Sequence, residues 1–100
     1  MHIQVNTDSN IEGHEALATS IKGVVESALR RFNGRITRVA VHLSDLSAGR
    51  STGDDKRCVM EVRLEGRQPS VVSHEASTVS DAVDGAAEKL KRSVEGALKS

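Results

Sequence analysis

Residues 77–99, STVSDAVDGAAEKLKRSVEGALK, decide the fold. Apolar side chains recur at Val79, Ala82/Val83, Ala86/Ala87, Leu90, Val94 and Ala97/Leu98. That is the 3.6-residue period of a helix burying one stripe. Ser77 and Thr78 open it as a polar stop. Its first turns carry Asp81 and Asp84, and its last carry Lys89, Lys91, Arg92 and Lys99. Such polarity suits the helix dipole and by itself needs no ligand. It also leaves a cationic helix end able to meet an anion.

Upstream, Ser70–Ala76 reads as a strand, joined by the turn Gly66–Pro69 to the clearest strand, Arg57–Glu65. There Cys58, Met60, Val62 and Leu64 alternate with Glu61, Arg63 and Glu65. Ser47–Lys56 is a Gly/Ser/Asp loop, long for a hairpin. Ile36–Leu46 is another strand, with Val39, Val41 and Leu43 on one face and Arg38, Ala40 and His42 on the other. A helix runs from about His14 to Arg31, burying Leu17, Ile21, Val24/Val25, Ala28/Leu29 and Phe32. Gly13 or His14 caps it weakly, and Asn33-Gly34 ends it, with Gly34 expected in the left-handed conformation. His2–Asn6, with Ile3 and Val5 inward, is the first strand.

The order β-α-β-β-β-α predicts an α+β fold. A strand-helix-strand crossover makes the first two strands parallel, and two hairpins return the fourth to the same direction. A four-stranded mixed sheet then carries two roughly parallel helices on one face, with their C-termini at one end. This places Arg30, Arg31 and Arg35 near Lys91, Arg92 and Lys99. Gly23 and Gly85 are expected to let the helices approach closely. The hundred residues are expected to form one domain, 1–100, with one modest core.

The 14 basic and 14 acidic residues cancel, so the chain is not a generally basic nucleic-acid protein. Yet residues 30–50 hold five arginines against one acid, and residues 89–100 hold four bases against one acid. Segregation of this kind favours one basic face. With no Trp, no Tyr and only Phe32, base stacking on aromatic platforms is excluded. Cys58 stands alone, so there is neither an internal disulfide nor a thiolate zinc cage, and it reads as a small buried hydrophobe. His2, His14, His42 and His74 lack metal spacing, although His2 and His42 could approach on adjacent strands. No membrane-length apolar run or secretory signal is seen, and Met1 leads straight into structure, so a cytoplasmic location is expected. Nothing resembles a nucleophile elbow, a phosphate loop or a paired-carboxylate cleft, so neither catalysis nor a cofactor is expected.

The whole pattern resembles the ribosome hibernation-promoting factor family, which includes ribosome-associated inhibitor A. The carriers are Asn10-Ile11-Glu12-x-x-Glu15-Ala16-Leu17 at the first helix, then Phe32 and Arg35-Ile36. Asp81-Ala82-Val83-Asp84-Gly85-x-x-Glu88-Lys89-Leu90-x-Arg92 carries it on the second. The resemblance implies a βαβββα domain that binds the small ribosomal subunit in the mRNA/tRNA channel and blocks translation in resting bacterial cells. The chain looks like a short-type member or an isolated N-terminal domain. The family's basic helix residues correspond to Lys89 and Arg92, with Lys22, Lys91 and Arg30/Arg31 on or beside similar surfaces. Ser80, Glu95, Gly96, Leu98, Ala18 and Ser27 depart from aromatic or basic positions common in the family.

The candidate RNA contacts are therefore Arg30, Arg31, Arg35, Lys89, Lys91 and Arg92, with Arg38 and Lys99 in second rank. They would neutralise rRNA phosphates without reading base sequence. No membrane, small-molecule substrate or metal is expected as a partner, and the oligomeric state is left open. The rival reading is a protein-interaction module on the same fold that has lost ribosome affinity.

Overall fold

The computed structural model describes residues 1–8, 11, 13–46 and 55–99. Its elements are β1 (His2–Thr7), α1 (His14–Ala28), a 3₁₀ helix (Arg30–Arg35), β2 (Ile36–Asp45), β3 (Lys56–Leu64), β4 (Ser70–Ala76) and α2 (Val79–Lys99). The sheet order is β1-β2-β3-β4, with β1 parallel to β2 and both hairpin pairs antiparallel. This is the mixed α+β architecture expected from the sequence. Most of the loop expected over Ser47–Lys56 lies outside the described residues, as do Asn10 and Glu12, and β3 starts at Lys56.

One sheet face is apolar. Val39, Val41, Leu43, Cys58, Met60, Val62 and Leu64 are buried there, under Ile21, Val25 and Leu29 from the first helical segment. Ala82, Val83, Ala86, Ala87, Leu90 and Val94 of α2 complete the core. The helices run side by side in the same direction. Leu17, Ile21 and Val24 share a groove with Val79 and Val83, and further along Ser27 and Ala28 share one with Ala87 and Glu88.

Three local expectations change. The first helix is α-helical only to Ala28 and tightens into 3₁₀ turns carrying Arg30, Arg31 and Arg35, with Phe32 N–H bonded to Leu29 O at 2.9 Å. Gly34 does not adopt a left-handed conformation, because the 3₁₀ turns pass directly into β2. Gly13 does, at φ 71°, and it starts α1 without a side-chain cap. At α2, by contrast, Thr78 Oγ1 accepts from Asp81 N–H at 3.1 Å, a proper N-cap.

The third change concerns glycine. A Cβ at Gly23 would meet nothing within 4 Å, so this residue is not required for helix approach. A Cβ at Gly85 would collide with the His74 imidazole rising from β4, not with α1. Gly85 therefore seats α2 on the sheet.

Gly23→Ala is expected to raise the unfolding free energy by about 0.5–1 kcal/mol through helix propensity. Gly85→Ala should lower it by about 1–3 kcal/mol through overpacking, and adding His74→Ala should recover part of that loss. Denaturant melts of the three variants read both signs.

Burial alone pushes the Cys58 thiol up to about 12. In the unfolded chain it ionises near about 8.5. The folded state thus holds the proton longer, and the thiol's contribution is complete below the unfolded value and lost as pH rises toward the folded one. Melts across this alkaline range should show a steeper fall for the parent chain than for Cys58→Ala.

Candidate nucleic-acid interface

The strand directions sort the charges by end. β2 starts, β3 finishes and β4 starts at one end, which also receives the 3₁₀ helix and the C-terminus of α2. This basic end gathers Arg30, Arg31, Arg35, Arg38, Arg63, Arg67, Lys91, Arg92 and Lys99, against Glu26, Glu65, Glu88 and Glu95. The opposite end carries Asp8, Glu15, Asp45, Asp55, Glu75, Asp81 and Asp84, against Lys56 and Arg57. A neutral chain is thereby electrically polarised along its strands.

At the basic end, Arg30 is exposed beside Met1, Glu26 and Asn33. The Arg31 guanidinium lies 5.1 Å from the Phe32 ring centroid, which holds it by a cation–π contact. Arg35 is exposed where the 3₁₀ turns enter β2, and its carbonyl accepts from Glu65 N–H at 3.1 Å. Arg92 Nε meets Glu88 Oε1 at 3.5 Å, with the arginine side chain 77% exposed. So open an i,i+4 pair costs little to exchange for a phosphate.

Lys89 and Lys91 do not share one surface. Two residues turn the helix by about 200°. Lys89 Nζ donates to Ser73 O at 2.8 Å, over the outer edge of β4 and midway along it. Lys91, half-buried, follows Ala87 and Glu88 on the side facing α1. The geometry brings Arg30, Arg31, Arg35 and Arg92 to a common end and sets Lys89 apart. Lys89 blunts an exposed strand edge, a structural role that helix periodicity does not reveal.

Other candidates separate. His2 pairs in register with Arg38, and His42 with Asn6, so the two imidazoles stand four rows apart, about 13 Å. His42 Nε2 instead faces Asp8 Oδ1 at 3.5 Å. Among the described residues, no three His, Cys, Asp or Glu side chains converge as a metal site. Nor is any described helix long and apolar enough to cross a membrane. At the acidic end Lys56 bridges Asp55 at 2.8 Å and Asp45 at 3.7 Å. The hydrogen bond to Asp55 holds its ammonium pKa above the usual lysine value.

Arg63 joins the basic end without having been singled out by the sequence. There it is one outward residue of an alternating strand, and only the pairing register reveals its neighbour, Arg38.

Residues 3–97 match the family model described as sigma 54 modulation protein / S30EA ribosomal protein. No curated protein sequence matches the chain. Among solved structures, a ribosomal subunit interface protein from Coxiella burnetii superposes with a TM-score of 0.71 at 17% identity, covering 100% of both chains. The N-terminal domain of Thermus thermophilus Protein Y gives a TM-score of 0.66 at 26% identity, covering 94% of this chain and 96% of that one. The first likeness speaks for the fold alone.

Arg92→Ala is expected to change stability by less than about 0.5 kcal/mol, since its ion pair is open to water. Lys89→Ala should cost about 1 kcal/mol by freeing the Ser73 carbonyl. Thermal melts at matched salt compare them.

Proposed function

This chain belongs to the sigma 54 modulation protein / S30EA ribosomal protein family, and on that premise we propose that it is a ribosome hibernation factor acting on the small subunit. As one folded unit it contacts rRNA phosphates with its basic end and occupies the channel used by mRNA and tRNA. Translation is then inhibited by exclusion, in the cytoplasm of resting cells.

The observation that carries this reading is the match over residues 3–97 to a ribosomal protein family. The charge-sorted geometry supplies the means. Folded rRNA is recognised largely through phosphates and backbone shape. Arg30, Arg31, Arg35 and Arg92 offer guanidinium forks for bidentate phosphate contacts. Lys91 and Lys99 add charge from α2. Lys89 contributes only if an ammonium proton beyond the one on Ser73 O reaches a phosphate.

The mechanism needs no bond-making step. Cys58 is the register neighbour of His74, the kind of pairing a thiol nucleophile uses. Here the thiol is fully buried and its pKa is raised to about 12, the reverse of activation. A binding role therefore fits these residues better than a catalytic one.

Sedimentation with purified small subunits tests the reading. The protein should co-pellet at low salt. With about six phosphate contacts, affinity should fall on the order of 10³-fold between 50 and 200 mM salt. Arg92→Glu should weaken binding at every salt concentration. No co-pelleting at low salt would leave the rival reading, an interaction module that has lost the ribosome.

A further inference from the structure

The helix-free face of the sheet carries an electrostatic conflict at the basic end. β2 and β3 pair Ile36 with Leu64 and then Arg38 with Arg63, so Thr37 is one residue too many. This β-bulge changes the parity of β2. Ile36 and Val39 both enter the core, three positions apart. From Arg38 to Asp45 the ladder runs in one unbroken register with Arg63 to Lys56, and the bulge sets off only Ile36. In that register Arg38 stands directly across from Arg63 on the open face, and His2 of β1 pairs with Arg38 from the other side. Thr37 Oγ1 donates to Arg63 O at 3.2 Å and fastens the bulge.

Like charges directly opposite each other on a sheet are destabilising. Among the described residues, no carboxylate reaches ion-pair distance of either guanidinium, including Glu61 in the adjacent row. Arg38 is instead held through its Nη2 by Gln4 Oε1, a neutral acceptor that orients the guanidinium and leaves its charge intact. Both arginines are exposed. Two like charges held across a fixed strand register, one of them braced by a neutral group, are the arrangement of an anion site.

We propose that Arg38 and Arg63, set side by side by the β2–β3 register, form a second phosphate-binding site for RNA on the helix-free sheet face. The proposal rests on the ribosomal reading above and extends it around the end of the domain. Arg35 closes the 3₁₀ helix, and Arg38 is the first open-face residue of β2 after it. An RNA strand passing Arg30, Arg31 and Arg35 therefore meets the arginine pair close by. The interaction is with backbone phosphate, since two guanidiniums offer it paired donors and the face has no Phe, Tyr or Trp on which to stack bases.

Binding to purified small subunits across a KCl series, with thermal melts alongside, tests this in four proteins: parent, Arg63→Gln, Arg38→Gln/Arg63→Gln and Arg92→Gln. The double variant should bind roughly tenfold more weakly at low salt. Its slope of log K against log salt should be shallower by about two, one for each phosphate that is no longer neutralised. Arg63→Gln alone should fall between the parent and the double variant. The melting temperature of the double variant should stay level or rise, because a repulsive pair is gone. An unchanged slope and affinity in the double variant, with Arg92→Gln weakened, overturns the sheet-face site and leaves the helix-end reading standing. A weaker double variant with a lower melting temperature and an unchanged slope also overturns it, as the arginines would then be structural. If the parent itself does not bind, the ribosomal reading falls, and this site falls with it.

Discussion

Only one face of the sheet is apolar, and the rest of the molecule depends on that. Val39, Val41, Leu43, Cys58, Met60, Val62 and Leu64 bury on the same side, so both helices must lie there. With Phe32 the sole aromatic, the filling is aliphatic and the layers must sit close. Ala82, Ala86 and Ala87 present small side chains to the sheet, and Gly85 yields its space to His74. Close seating of α2 is worth more than the helix propensity given up at Gly85, about 1 kcal/mol against Ala, because a colliding imidazole would cost more.

Covering one face twice forces the direction of the helices. β1, β2 and β4 run the same way, and a helix following a strand must return along the sheet. Both helical segments therefore finish at one end. The dipole accounts for Lys99 in the last turn of α2, but α1 ends without a base and its arginines follow in the 3₁₀ turns, so topology is what brings them to that end. The basic end emerges from packing rather than from any binding motif, and a binding function would exploit a polarity that the fold already has.

Element order, strand alternation and the α2 stripe are legible in the sequence because each follows a period that burial enforces. What is not legible depends on a partner strand or a tertiary neighbour. The Thr37 bulge breaks the period of β2, and its effect appears only when β3 supplies the register. Lys89 reads as one more helix-end base until Ser73 O is seen beneath it. The end of the first helix is hidden because Arg30–Arg35 continue it in 3₁₀ form, which uses similar residues and needs no left-handed glycine. Gly85 signals a close approach correctly but not its object, since helix spacing cannot say that an imidazole of β4 lies underneath.

Zero net charge, taken alone, weighs against a polyanion partner, but the dimensions reverse that weight. The longest extent of the molecule is 43 Å. At physiological salt the Debye length is about 8 Å. A phosphate touching Arg35, at the start of β2, thus lies several screening lengths from Asp45 at the end of that strand and from Asp81 at the start of α2. It interacts with a locally cationic surface, whatever the sum over the chain. The acids still matter at encounter, when an approaching acidic end is repelled from any dense run of phosphates and the basic end is drawn in. A uniformly basic protein of this size would adhere in many orientations. Opposite charge at the two ends makes a single approach favourable, and a wedge that inhibits by occupying a channel depends on entering it in one orientation.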